Sequence, residues 1–232
     1  MAKADYHSSV ITSNQEDVHP KLEEIVKKHL NSQFRRPIAE HTQLAFDKIK
    51  AQVESYLHSN NKSSLIFDSC CGTALSTRKI AVRYPQSLVI GIDRSLKRLS
   101  KKYPENLPHN AVLVQAECSD FWRLALQAGW QLDKHFLLYP NPYPKSSQLK
   151  RRWHAHPVYP SLLALGGSIE LRSNWLLYVK EFCEAFYIAK PESVTSSRLS
   201  EAFIADDYLT LFEKKYQQSG QRLYRCVLNL AE

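Results

Sequence analysis

Acidic and amide side chains stand directly after short apolar runs at four places along the chain. They are Asp68, Asp93, Glu117 and Asn141, and Gly72 follows closely on the first of them. A carboxylate can accept hydrogen bonds from two ribose hydroxyls at once, and glycine lets the backbone approach a ligand closely. One such acid alone is equally well a helix cap or a solvated loop residue. The set, at successive strand ends, predicts a site for a nucleoside-containing cofactor.

A sheet whose strands all end at one edge is needed to bring these residues together. The apolar runs are continuous rather than alternating, as in strands buried on both faces, and helical patterns separate them. The runs are Leu65–Phe67, Leu88–Ile92, Ala111–Val114, His135–Tyr139 and Ser168–Leu171. We therefore predict an α/β, Rossmann-like fold: a mostly parallel twisted sheet with helices on both faces and antiparallel strands near the C-terminus, over Leu223–Leu230.

The first 58 residues have a different pattern of apolar residues from the rest of the chain. Apolar residues recur at helical spacing from Val18 to Leu30 and from Phe46 to Leu57, and Pro37 lies between the two patterns. We predict an N-terminal helical extension over residues 1–58 and a single α/β domain over residues 59–232.

Composition limits the class of protein. The chain has 232 residues, a net charge of +8 and five cysteines, which are not spaced as zinc ligands are. Scattered cysteines, no apolar signal region at the start and no apolar run of about 20 residues predict a cytoplasmic protein with no metal and no membrane contact. The positive charge fits a polyanionic partner such as nucleic acid, although a basic surface without a specific partner is the alternative.

The segment that begins at Asp68, with the sequence D-S-C-C-G-T-A, resembles the first motif of class I methyltransferases. Two of the three glycines of a dinucleotide fingerprint are replaced, by Cys70 and Ala74, which disfavours a dinucleotide. The resemblance implies S-adenosyl-L-methionine as the cofactor, with Asp93 on the ribose and Glu117 near the adenine. The predicted cofactor-binding set is Asp68, Cys70, Gly72, Asp93, Arg94, Glu117, Cys118 and Asn141.

Prolines and cations follow the fourth apolar run. The segment from Tyr139 to Lys145 reads Y-P-N-P-Y-P-K, and the run Lys150-Arg151-Arg152 comes soon after it. Prolines rigidify a loop, and cations beside it suit phosphate contacts. We expect Lys145 and all three residues of the run to contact phosphate. The alternative for the run is a solvated helix end.

Over about residues 64–230 the chain resembles the bacterial tRNA (guanine-N7)-methyltransferase family. That family has P-D-P-W, a lysine and K-R-R after strand four, T-D-W after strand five, and T-x-F-E before a glycine. The matching residues here are Pro140-Asn141-Pro142-Tyr143, Lys145, Lys150-Arg151-Arg152, Ser173-Asn174-Trp175, Thr210-Leu211-Phe212-Glu213 and Gly220. The resemblance implies a divergent member that methylates a guanine in tRNA, with Asn141 and Glu213 catalytic. It implies a substrate side lined by Lys145, Arg151, Asn174, Thr210 and Glu213.

Asn141 and Asn174 stand where the family has aspartates. Guanine N7 has a free lone pair, so its methylation needs no general base and can rely on in-line positioning. Carboxylates would still accept from the base edge and offset the positive charge that develops on the base. Two alternatives therefore stay open: an exocyclic-amine methyltransferase, suggested by the similarity of Asn141-Pro-Tyr143 to an N-P-P-Y motif, and a catalytically weak tRNA-binding protein. The oligomeric state is not predicted by the sequence.

Overall fold

Seven strands form one sheet in the computed structural model, which describes residues 8–59, 64–196 and 198–230. The strands are β1 (Ser64–Ser69), β2 (Ser87–Asp93), β3 (Ala111–Gln115), β4 (Lys134–Leu138), β5 (Ser168–Ser173), β6 (Arg198–Phe203) and β7 (Leu223–Asn229). Their order in the sheet is β3-β2-β1-β4-β5-β7-β6. β1 to β5 run parallel, and β7 is antiparallel to both β5 and β6. The predicted fold class is confirmed; the edge strand β6 was not predicted.

Eight α-helices accompany these strands in the described part of the chain. They are α1 (Leu22–Leu30), α2 (Glu40–Ser59), α3 (Leu75–Arg83), α4 (Leu96–Leu99), α5 (Cys118–Gln127), α6 (Tyr159–Ala164), α7 (Leu176–Ala189) and α8 (Leu211–Gln218). Both faces of the sheet are buried: Leu65 and Phe67 of β1 belong to one apolar core, whereas Ile66 between them belongs to a second. Burial on both faces explains why the strand sequences are continuously apolar.

The strand order reverses beside β1, which pairs with β2 on one side and with β4 on the other. At such a switch point the loops after the two flanking strands diverge and leave a crevice at the carboxyl edge of the sheet. Asp68 lies in register with Gly91 of β2 and Phe136 of β4. A Cβ atom on Gly91 would lie 2.4 Å from Oγ1 of Thr77, so glycine allows α3 to pack close to the sheet under Asp68.

The two N-terminal helices share the larger core with the sheet. Leu22 and Val26 of α1 and Phe46 and Val53 of α2 are all buried in it. Both helices lie where helical spacing predicted them. The division at residue 58 into an extension and a domain stays a prediction. No helix among the described residues is long and apolar enough to span a membrane.

Candidate active site

Asp68 lies near the end of β1, and its carboxylate is fully buried. Oδ2 accepts hydrogen bonds from Ser76 Oγ at 2.6 Å and from Thr77 Oγ1 at 2.7 Å, both in α3. Oδ1 has no hydrogen-bond partner among the described residues. Burial raises the pKa of Asp68 to about 6, against the two hydroxyl hydrogen bonds. A buried carboxylate oxygen that lacks a donor fits a ligand that supplies one, as the ammonium group of S-adenosylmethionine does.

The turn after β1 has three residues in the left-handed region. They are Cys70, Gly72 and Ala74, with φ values of 60°, 59° and 61°. Non-glycine residues are uncommon there, so a turn of this kind points to a functional constraint. The space where Gly72 lacks a side chain is open, with no atom within 4 Å of an added Cβ. The turn therefore presents bare backbone, as a tightly held cofactor requires.

Asp93, the last residue of β2, stabilises this turn through hydrogen bonds to backbone N atoms. Its Oδ2 accepts from the backbone N of Gly72 at 2.9 Å, and its Oδ1 accepts from the backbone N of Ser95 at 2.8 Å. The carboxylate is buried and lies directly beside the turn, where the sequence predicted a ribose contact. Arg94, the next residue, is exposed.

The end of β3 approaches the same turn. Glu117 is the N-cap residue of α5, and its backbone N donates to Thr42 Oγ1 of α2 at 3.0 Å. Sγ of Cys118 lies 3.6 Å from Sγ of Cys70. The ends of β1, β2 and β3 are thus brought to one edge of the sheet. The binding roles of these residues stay predictions. No group of three or more His, Cys, Asp or Glu in the described ranges could hold a metal ion.

The proline-rich loop after β4 is sharply turned. Tyr139 and Tyr143 have φ values of 53° and 45°, and Tyr143 N donates to Oδ1 of Asn141 at 3.3 Å. Asn141 and Lys145 are exposed, as is Arg151, whose guanidinium lies 5.7 Å from the centroid of the Tyr143 ring. The loop therefore places an amide and exposed cations at the carboxyl end of β4.

The position of Arg152 shows that one prediction was wrong. It was expected to contact phosphate together with Lys150 and Arg151, but its side chain is fully buried. Nε and Nη2 donate to the carbonyl of Tyr143 at 3.2 and 3.0 Å, and Nη1 donates to Glu181 Oε2 of α7 at 2.5 Å. The guanidinium also lies over the ring of Trp175, 4.9 Å from its centroid. Arg152 thus links the loop after β4 to the loop after β5, because it contacts residues of both.

Glu181 and Gln15 were missed by sequence reasoning. Glu181 Oε1 accepts from Gln15 Nε2 at 2.6 Å, and Oε2 lies 3.0 Å from His154 Nε2. The available signal was a glutamate between Tyr178 and Phe182, on an otherwise apolar face of α7. An acid at such a position needs a buried partner, because an unpaired buried charge is costly.

The segment before α1 contacts the loop after β4 directly and is linked to Asn174, after β5, through Gln221. Ser13 Oγ donates to the Pro144 carbonyl at 2.6 Å. Asn174 Nδ2 donates to Gln221 Oε1 at 2.8 Å, and Gln221 Nε2 donates in turn to the carbonyl of Ser8 at 2.8 Å. The contacts of Ser13 with Pro144 and of Gln221 with Ser8 link residues more than 100 positions apart, which no local pattern indicates.

Glu213 is fully buried beneath the predicted substrate side. Its Oε1 accepts from Tyr139 Oη at 3.0 Å and from Arg172 Nη1 at 2.8 Å, and its Oε2 accepts from Leu209 N at 2.6 Å. Thr210 caps α8, because its Oγ1 accepts from Glu213 N at 2.9 Å. The Thr-x-Phe-Glu segment therefore builds the helix start and fastens it to Tyr139 at the end of β4. Its roles in catalysis and substrate binding stay predictions.

Comparison with known proteins gives one family and one distant relative. A family model described as "Putative methyltransferase" matches residues 62–226. The tRNA (guanine-N(7)-)-methyltransferase of Geobacillus kaustophilus (strain HTA426) is 24% identical over 151 residues, which cover 62% of this chain and 63% of that relative. The chain thus spans less than two thirds of the length of this relative.

Solved methyltransferase structures share the fold. The 16S rRNA methyltransferase KamB has a TM-score of 0.54 and 15% identity over 85% of this chain and 96% of its own. An antibiotic-related methyltransferase has a TM-score of 0.52 and 12% identity over 83% and 98%. A 16S rRNA (adenine(1408)-N(1))-methyltransferase variant from Catenulisporales acidiphilia, solved with its cosubstrate SAM, has a TM-score of 0.50 and 13% identity over 78% and 90%.

Proposed function

Given that the chain belongs to the S-adenosylmethionine-dependent methyltransferase family whose model spans residues 62–226, we propose that it methylates N7 of a guanine in tRNA. The observation that carries this proposal is the meeting of two groups of residues at one edge of the sheet. Asp68 and Asp93 lie at the ends of β1 and β2, and the loop with Asn141 and Lys145 follows β4, which pairs directly with β1. The distant relative from Geobacillus kaustophilus supports guanine in tRNA as the acceptor.

Each group of residues has a task in this reaction. Asp68 accepts from the donor groups of the cofactor, and Asp93 holds the turn whose open backbone receives it. Bound S-adenosylmethionine supplies a methyl group on a sulfonium. Because guanine N7 carries no proton, the chain needs no base and contributes position and electrostatics. The loop after β4, fixed by Arg152, orients the guanine ring.

Charged side chains behind the loop after β4 contribute to the electrostatics of the site. Arg172 pairs with both Glu213 and Glu170, at 2.8 and 2.6 Å, so two carboxylates face one cation. The excess negative charge lies next to Tyr139, whose hydroxyl donates to Glu213. A fixed negative charge in a poorly solvated site stabilises positive charge that develops on the base. Glu213 therefore acts on the base through Tyr139 and the local field.

The test is product analysis. The full chain is incubated with unmodified tRNA transcript and S-adenosylmethionine that carries a labelled methyl group, and the nucleosides are then separated by mass spectrometry. We expect labelled 7-methylguanosine, with loss of product in Asp93→Ala and normal product in Lys27→Ala, an exposed position on α1. Label on an exocyclic amine would replace the proposal with the amine-methylating alternative. Binding of tRNA without any label would indicate a binding protein.

A further inference from the structure

The start of α8 exposes large apolar side chains next to the buried Glu213. Phe212 is 52% exposed, Leu211 is 43% exposed, and Ile204 in the preceding loop is 78% exposed. A single exposed apolar residue needs no explanation, but a concentration of them beside a functional site indicates a contact surface.

Phe212 is the outer member of a series of three aromatic rings. Its ring is stacked on that of Tyr216, one helical turn away, with centroids 6.0 Å apart and planes at 20°. The Tyr216 ring lies 5.6 Å from that of Tyr139. Tyr139 follows β4 directly, and Asn141 comes two residues after it. The series therefore leads from the surface to the strand end where we place the methyl acceptor.

A cation accompanies this aromatic surface. Lys215 is three residues from Phe212 on α8, which places the two side chains on the same side of the helix. In the described part of the chain Lys215 has no carboxylate within ion-pair distance. Among the acids of this region, Glu213 pairs with Arg172 and Asp207 pairs with Lys79 and Arg83, whereas exposed Asp206 has no ion pair among the described residues. The surface therefore combines an aromatic face with a lysine that has no ion-pair partner among the described residues.

We propose that the exposed face of Phe212 stacks on a nucleobase of the RNA that flanks the methylated nucleotide, with Lys215 against the phosphate backbone. Aromatic faces beside cations bind single-stranded nucleic acid in this manner, and every base offers a π face. Phe212 thus holds the unpaired RNA next to the target without reading its sequence. The inference rests on the proposed function, because it takes RNA as the substrate.

The test compares RNA binding by the full-length wild type, Phe212→Ala, Phe212→Trp and Leu211→Ala, with unmodified tRNA transcript as the probe. Phe212→Ala should weaken binding by about 10- to 100-fold, which is the usual contribution of one stacked base. Phe212→Trp should bind as tightly as wild type. Leu211→Ala removes a similarly exposed apolar side chain without a ring, and it should change the Kd less than twofold. Thermal melting confirms that each variant is folded.

Salt dependence separates stacking from charge. Phe212→Ala should keep the wild-type slope of log Kd against log salt, whereas Lys215→Ala should reduce that slope by about one unit. Wild-type affinity in Phe212→Ala, or an equal loss in Leu211→Ala, would overturn the proposal and assign the surface to another occupant such as a protein. Formation of 7-methylguanosine tests the proposed function separately, since binding is measured without turnover. A wild type that binds no RNA overturns both.

Discussion

The guanidinium of Arg152 lies 2.5 Å from the carboxylate of Glu181, and both side chains are fully buried. Because Arg152 also donates to the carbonyl of Tyr143, the pair joins α7 to the loop that includes Asn141. Loss of one partner would leave a buried charge without compensation, which is far more costly than loss of an exposed ion pair. The geometry of the predicted substrate loop therefore depends on an interaction in the protein interior.

Glu181→Gln should destabilise the protein by about 3–5 kcal/mol, the usual cost of breaking a buried pair. Burial opposes ionisation, but hydrogen bonding with His154 and the charge of Arg152 outweigh it and lower the pKa of Glu181 to about 2 from 4.5. A lowered acid pKa stabilises the fold above pH 4.5, and this stability is lost as pH falls towards 2. Urea unfolding of both proteins at several pH values should show the difference shrinking over this window. A difference in the free energy of unfolding that stays constant with pH would contradict this prediction.

Adjacent arginines should behave oppositely. Arg151 is exposed, so Lys150→Ala with Arg151→Ala should leave the free energy of unfolding within about 0.5 kcal/mol of wild type. The same variant should lower the slope of log tRNA affinity against log salt by roughly one unit per lost phosphate contact. Arg152→Ala should lower the free energy of unfolding and should leave the salt slope of tRNA affinity close to that of wild type. An unchanged slope in the double variant would mean that Lys150 and Arg151 form only a solvated face.

Asp68 should make cofactor binding pH-dependent. Burial raises its pKa to about 6 from 3.8, so the folded state holds an extra proton between these values and stability falls as pH rises through them. In Asp68→Asn the free energy of unfolding should no longer fall over this pH range, whereas in wild type the fall amounts to about 3 kcal/mol. S-adenosylmethionine should bind more weakly below about pH 6, where the carboxylate is protonated. Calorimetry from pH 5 to 8 that shows no such change in wild type would exclude a contact with Asp68.

Asp93→Ala should weaken S-adenosylmethionine binding by about 1.5–3 kcal/mol, because charge-assisted hydrogen bonds to the ribose are lost. The carboxylate also accepts from Gly72 N and Ser95 N, so the variant should melt at a lower temperature than wild type. Calorimetry is therefore done below the melting transition of the variant. Equal affinity in the two proteins would remove Asp93 from the site.

Asn141→Asp with Asn174→Asp should speed formation of 7-methylguanosine on unmodified tRNA. Each carboxylate adds an acceptor and negative charge, worth about 2–4 kcal/mol in a closed site and less where water enters. Because Asn141 is exposed, its share should lie at or below the lower value. Glu213→Ala should abolish the gain. A double variant no faster than wild type in initial rate would argue against a slow guanine-N7 enzyme.

One cost of that double variant follows from the structure. Asn174 donates its amide to Gln221 Oε1, and an aspartate has no hydrogen to donate there. Asn141→Asp alone avoids this loss and is the matched control. If it is faster than the double variant, the Asn174 contact with Gln221 is needed for an ordered loop.

The sheet and the edge that holds the site were determined by local sequence. Continuous apolar runs mark strands buried on both faces, and a strand ends where polar residues begin, so Asp93 was placed correctly as the end of β2. Antiparallel strands were also predicted over Leu223–Leu230, where β7 lies. The edge strand β6 escaped notice, because its segment R-L-S-E-A-F has a mixed polar pattern without a continuous apolar run.

Tertiary structure alone decided which polar side chains face solvent and which lie in the interior. Arg151 and Arg152 are neighbours of the same type, but one is exposed and the other is buried against Glu181, 29 residues away. Glu213 likewise pairs with Arg172, 41 residues away. The physical reason is that the environment of a charged side chain is set by partners that packing brings together over long sequence separations, whereas strand and helix patterns are set by near neighbours.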